Sequence, residues 1–128
     1  MTTKQVISTQ NAPGAIGPYS QGVKHNNTLY ISGQLPIDTA TGELVEGDIS
    51  VQTHQVMKNL KAIVEAAGGT MEGLLKTTIL LTDLGNFAAA NEAYGSYFPQ
   101  NPPARICYQV TALPKGAQVE IDGICIVE

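Results

Sequence analysis

Between Ser50 and Ala67 the apolar residues return every three or four positions. Val56, Leu60, Ile63 and Ala67 form one stripe, and Met57 and Val64 widen it. With 3.6 residues per turn these six fall on one face, so the stretch predicts an amphipathic helix that must bury that face. Asp48 or Ser50 can cap its start, and Gly68-Gly69 suits the left-handed turn that ends helices. The next apolar run, "LLKTTILLTDL" from Leu74, is dense in aliphatic and β-branched residues and predicts a buried strand. An amphipathic helix followed at once by such a strand calls for helix packed on sheet.

The flanks extend this pattern. "GVKHNNTLYISGQ" predicts two short strands in a hairpin around His25–Thr28, because Asn tolerates the left-handed backbone of tight turns. "LPIDTATGELVEGD" reads as a loop with a short extended piece at Leu44-Val45. A second helix is expected from about Asn86 to Phe98, with Phe87, Asn91, Tyr94 and Phe98 on one face and Asn91 its odd polar member. Pro99, Pro102 and Pro103 forbid continuation. "ARICYQV" and "QVEIDGICIV" are the last strands, joined by the turn-forming "TALPKGA". The expectation is a single α+β domain over 1–128, with a largely antiparallel or mixed sheet and two helices on one face. The other face must meet water or another surface, and several strands are apolar on both sides. That points toward a homo-oligomer.

Composition removes some functions. The net charge is −4, from 7 basic and 11 acidic residues, and no basic run occurs. Broad binding to nucleic acid or an anionic membrane needs clustered Lys and Arg, so neither is expected. The N-terminal "MTTKQVISTQNAPG" lacks the apolar core of a signal peptide, and no apolar run approaches the ~20 residues that cross a bilayer. Cys107 and Cys125 lie too far apart for a CxxC motif, and a cytoplasmic chain with two reduced thiols is the simplest expectation. His25 and His54 lack ligand-like spacing to carboxylates or thiols, so no metal is expected.

The stretch "PARICYQV", residues 103–110, holds the only arginine; all the other basic residues are lysines. Strand alternation sends Arg105, Cys107 and Gln109 to one face, and Ala104, Ile106, Tyr108 and Val110, read as core, to the other. In the last strand Gln118, Glu120 and Asp122 share a face opposite Val119, Ile121 and Cys125. Two neighbouring strands that each place charge in an apolar sequence are expected to share one polar pocket. From spacing alone, an Arg105–Glu120 salt bridge and a ligand site stand equal. A planar guanidinium grips a carboxylate at two points, as lysine cannot, which favours a small acid as ligand. Glu120 is then the acid/base candidate, its pKa raised by an apolar surround or lowered by the arginine. Cys107 reads as a buried small hydrophobe more readily than as a nucleophile, since no His partner is evident. The loop "PGAIGPYSQG" sets three glycines and two prolines around Tyr19, shaping it as a pocket wall or a lid; no GK[ST] follows, so it is not a phosphate loop.

"IGPYSQG", "SGQLP", "NLKAIVEAAG", "NEAYGSYF", "PPARICYQV" and "LPKGAQVEI" together resemble, in order and spacing, the RidA (reactive intermediate/imine deaminase) family. The resemblance implies a chorismate-mutase-like α+β fold and a homotrimer with ligand sites in clefts between subunits. It implies hydrolysis of 2-imino acids, such as 2-iminobutanoate and 2-iminopropanoate, to 2-keto acids and ammonia, with no cofactor. Such imines arise from enamines released by pyridoxal-phosphate dehydratases acting on serine or threonine. Position by position, it makes Arg105 the carboxylate anchor and Glu120 the residue that orients or activates water. Ile106 and Cys107 belong to the substrate-contacting segment, Cys107 through its backbone. Tyr19, Ser32 and Gly33 line the cleft, some groups coming from the neighbouring subunit, and Asn91 gives structural support. Ile106 replaces a small hydroxyl residue and "CYQV" the more usual "CVEV"; altered packing rather than lost chemistry is expected.

Two other readings use the same residues differently. A non-catalytic trimeric module binding small carboxylates would also use Arg105, but a carboxylate such as Glu120 beside an anion site weakens simple anion binding. An RNA-cleaving or translation-inhibiting activity, reported for some relatives, fits poorly with the acidic charge.

Overall fold

The computed structural model describes residues 3–128. The hairpin is formed by β2 (Gly22–His25) and β3 (Thr28–Gln34), paired antiparallel from His25 opposite Thr28. Asn26 takes φ +52° in its turn, the conformation that favoured Asn there. Helix α1 (Ile49–Ala66) starts at Asp48, whose carboxylate accepts from the Val51 N–H at 3.0 Å. At its end the Gly68 N–H bonds the Glu65 carbonyl and the Gly69 N–H the Val64 carbonyl, with Gly68 at φ +87°. That pair of bonds closes the helix in a Schellman turn. Val56, Met57, Leu60, Ile63 and Val64 are wholly buried, each side chain contributing about 1.5–3 kcal/mol to folding.

One sheet takes in every strand, in the order β1-β2-β3-β6-β4-β5, where β1 is Gln5–Ile7, β4 Leu74–Leu81, β5 Ala104–Gln109 and β6 Val119–Ile126. β4 and β5 are parallel and the other pairs antiparallel. β3 and β4 both run antiparallel to β6, so they run parallel to each other across it. The chain therefore makes two crossovers in the same direction along the sheet, β3-α1-β4 and β4-α2-β5, with α2 at Phe87–Gly95. Right-handed crossovers in one direction put both helices on one face. The core lies there, where α1 and Tyr94 of α2 cover Leu29, Ile31, Ile79, Leu81, Val119 and Ile121.

Among the described residues no helix covers the opposite face. Tyr30, Tyr108 and Ile126 on that face remain about half exposed, as does Val6 on the edge strand β1. Tyr108 and Ile106, expected as core, lie here instead. Their partners on β4 are Leu80 and Thr78, which face away from the helices, whereas Cys107 pairs with buried Ile79. α2 is also shorter than expected. After Gly95 the chain tightens into three-residue turns, the Tyr97 and Phe98 N–H groups bonding the Tyr94 and Gly95 carbonyls. Among the described residues no helix is long and apolar enough to cross a membrane.

Candidate active site

Arg105 lies on the helix-covered face of β5, an edge strand, opposite Thr77 of β4. Its guanidinium carbon sits 5.5 Å from the centre of the Phe87 ring and 5.4 Å from that of Tyr94, and Nη1 donates to Asn91 Oδ1 at 2.5 Å. Phe87, Asn91 and Tyr94 occupy positions i, i+4 and i+7 of α2, so one helical face supplies two aromatic platforms and an amide. Tyr94 is itself held by a 2.6 Å hydroxyl contact to buried Thr77. Burial raises its pKa, opposed by that hydrogen bond and by the arginine. Among the described residues no carboxylate bonds Arg105, which is exposed and whose one side-chain hydrogen bond there is to Asn91. Asn91, expected as structural support, is the arginine's direct partner, and Phe87 and Tyr94 are parts of the site that the strand pattern alone did not reveal. Their spacing with Asn91 was the available signal.

Cys107 follows on the same face, half-buried against the core. Burial raises its thiol pKa, the nearby arginine countering this only in part. A thiol held protonated is a poor nucleophile. Cys125 is wholly buried, and burial pushes it up to about 11. Both cysteines are free.

Glu120 is not in Arg105's pocket. Its partner on β4 is Leu80, three residues from the Thr77 that pairs with Arg105. An odd offset on a strand reverses the face, so within one chain Arg105 and Glu120 project from opposite sides of the sheet. Within one chain the expected shared polar pocket and the Arg105–Glu120 salt bridge are therefore both excluded. Glu120 lies with Asp122, Thr78, Leu80 and Gly33 around a small hollow on the open face. Burial, and secondarily the like charge of Asp122, raise its pKa above the usual carboxylate value. Asp122 accepts from the Thr78 N–H at 3.1 Å.

Gly33 connects this carboxylate to a large cleft. A Cβ at that position would stand 2.6 Å from Glu120 Oε2, so only glycine leaves room for the carboxylate where it lies. Gly33 also lines a cleft of about 740 Å³ together with Tyr19, Leu35, Ile37 and the 8–16 segment. Ser32 does not line that cleft; its hydroxyl donates to the Ser20 carbonyl at 2.5 Å and its N–H to the Gln21 carbonyl, tying the Tyr19 loop to β3. Ile106 points to the open face, so any contact it makes near Arg105 is through its backbone. The expected residues thus form two groups: Arg105, Cys107 and the α2 platform on one side, and Glu120, Gly33 and Tyr19 on the other. Among the described residues no group of His, Cys, Asp and Glu is placed to hold a metal ion.

The endoribonuclease L-PSP family model matches residues 9–127. The human 2-iminobutanoate/2-iminopropanoate deaminase is 49% identical over 123 residues, 96% of this chain and 90% of its own length. Among solved structures, RidA from an Antarctic Psychrobacter is 50% identical with a TM-score of 0.93, covering 96% of this chain and 99% of that one. The E. coli TdcF structure with bound serine is 42% identical, also with a TM-score of 0.93, covering 97% and 99%. With fold, motifs and relatives in agreement over nearly the whole chain, this protein belongs to the RidA family.

Proposed function

We propose that the protein is a deaminase of 2-imino acids such as 2-iminobutanoate and 2-iminopropanoate, acting as a homotrimer in clefts shared between neighbouring copies. The observation that carries the reading is an arginine held by two aromatic faces and an amide instead of a carboxylate. Such a guanidinium is a preformed anchor for a ligand's carboxylate. The human relative's name supports the substrate class, and serine in TdcF supports a small amino-acid-like ligand.

The two-sided arrangement supports the shared cleft. Arg105 at the β5 edge of one copy and Glu120, Gly33 and Tyr19 of another complete one site, which neither chain completes alone. The exposed apolar residues of the helix-free face supply a surface for the second copy. Each chain enters as one domain over 1–128. Two free thiols suit a reducing, cytoplasmic setting.

In this reading Arg105 fixes the substrate carboxylate, and Glu120 takes a proton from a water as its oxygen attacks the imine carbon. Glu120 returns that proton to nitrogen to give the tetrahedral carbinolamine. It then carries the hydroxyl proton to the nitrogen as the C=O bond forms and the C–N bond breaks, and a 2-keto acid and ammonia leave. No redox change occurs and no cofactor is required. The uncatalysed reaction already proceeds in water, so orientation plus a proton relay worth about 10²–10⁴-fold suffices.

Coupling a serine or threonine dehydratase to the protein, with semicarbazide competing for the imine, tests this. The wild type is expected to accelerate keto-acid release and suppress semicarbazone formation, and Arg105→Ala to do neither. Equal curves for the two proteins would refute the deaminase reading. Gly33→Ala is expected to displace the Glu120 carboxylate, lowering kcat/KM about 10²-fold, since an error near 1 Å costs about that much. Its thermal unfolding should change by no more than about 1 kcal/mol, because the group that must yield is the end of a flexible side chain.

A further inference from the structure

The wall of the large cleft has little backbone structure of its own. Residues 8–16 line about half of it, yet they lie in neither helix nor strand. Among the described residues, the backbone–backbone bonds of the 8–21 loop are a local one, from the Tyr19 N–H to the Gly17 carbonyl, and the Ser32 N–H to the Gln21 carbonyl at 3.0 Å. What ties the 9–13 wall to the sheet is the Gln21 side chain. Its Oε1 accepts from the Thr9 N–H at 2.7 Å, and its Nε2 faces the carbonyls of Thr9 at 3.0 Å, Ala12 at 3.2 Å and Pro13 at 2.7 Å. Only 4% of Gln21 is exposed, so these bonds form away from competing water.

Position makes the clamp consequential. Gln21 stands immediately before β2, two residues after Tyr19, and its carbonyl holds the N–H of Ser32, the neighbour of Gly33. One residue therefore fixes the 9–13 wall relative to Tyr19 and Gly33 across the cleft. The wall offers an apolar stretch through Ala12, Pro13, Ala15 and Ile16, next to polar Ser8, Thr9 and Gln10. That stretch suits the hydrocarbon side chain of an imino acid and not its carboxylate.

We propose that Gln21 is a positioning residue that sets the width of this wall, and with it the affinity and side-chain selectivity for the imino acid. The inference rests on the deaminase reading for its substrate, while the clamp itself can be read without any substrate. Gln21→Leu removes every clamp bond at similar volume; Gln21→Glu keeps an acceptor for Thr9 but loses the donors to the three carbonyls. Both are assayed for apparent KM and kcat on 2-iminopropanoate and 2-iminobutanoate generated in situ by an amino-acid oxidase. Amide exchange of residues 9–12 and of β4 and β6 is followed in parallel.

The expected result is a KM at least tenfold higher with kcat within about twofold, and a reduced preference between the two imines. Thr9 exchange should rise at least tenfold while β4 and β6 stay protected. Unchanged Thr9 exchange, a loss confined to kcat, or equal deprotection of the central strands would overturn the proposal. If Gln21→Leu fails to fold, Gln21→Glu decides by the same readouts. A wild type without deaminase activity but with variant-dependent Thr9 exchange would sink the substrate assignment and leave the clamp standing.

Discussion

Arg105→Lys is expected to lower kcat/KM about 10²-fold while leaving the fold intact. Two effects add. A lysine ammonium cannot grip a carboxylate at two points, and losing one charge-assisted hydrogen bond removes about 1.5–3 kcal/mol of ligand binding. It also has no flat surface to lie between Phe87 and Tyr94, so the cation is no longer held where α2 places it. Arg105→Ala should lose about tenfold more. Neither change should move unfolding free energy by more than about 1 kcal/mol, because Arg105 is exposed and bonded to Asn91 alone among the described residues. Steady-state kinetics beside denaturant unfolding separates the two effects. Near-normal turnover in the lysine variant would contradict the two-pronged anchor.

Glu120→Gln should remove the proton relay and reduce kcat by about 10²–10³-fold. The pH dependence supplies a second signature. Burial, then Asp122, hold the Glu120 pKa above its ordinary 4.5, so the wild-type rate should fall as pH drops through that raised value. Titration of the imine itself remains in both proteins, so an acid limb present only in the wild type belongs to Glu120. Stability should respond with the opposite sign. A carboxylate with a raised folded pKa contributes stability fully below its unfolded pKa and loses it as pH rises through the folded one. Glu120→Gln is therefore expected to unfold at least as high as wild type at neutral pH, the advantage vanishing below about pH 4. A glutamine variant less stable at pH 7 would mean that Glu120 serves the fold.

Most of the architecture was readable because it is local. The α1 stripe, its Asp48 cap and the Gly68-Gly69 stop depend on residues within a few positions of one another, as does the Asn26 turn. β1 escaped notice because three residues are too few for alternation to show. Within β5 the pattern correctly grouped Arg105 with Cys107, and within β6 it grouped Glu120 with Asp122. Whether those two faces coincide is decided by register against β4, where Thr77 meets Arg105 and Leu80 meets Glu120. Register arises from β6 inserting between β3 and β4, a contact between distant parts of the chain, and no local pattern encodes it. The same long-range fact put Tyr108 outside the core. The aromatic cradle of Arg105 was half legible: the α2 spacing grouped Phe87, Asn91 and Tyr94, but not their partner on the strand beneath them.

The opposite-face geometry makes the shared cleft testable by mixing two dead proteins. Arg105→Ala and Glu120→Gln chains, unfolded together in equal amounts and reassembled, form mostly mixed trimers. With one site per interface in a cyclic trimer, each mixed trimer recovers one cleft with Arg105 from one copy and Glu120 from the next. The account predicts recovery of about a quarter of wild-type deaminase activity in the mixture, statistically expected from such cyclic assembly. A mixture no more active than its separately refolded parents would show that the two residues do not meet across an interface.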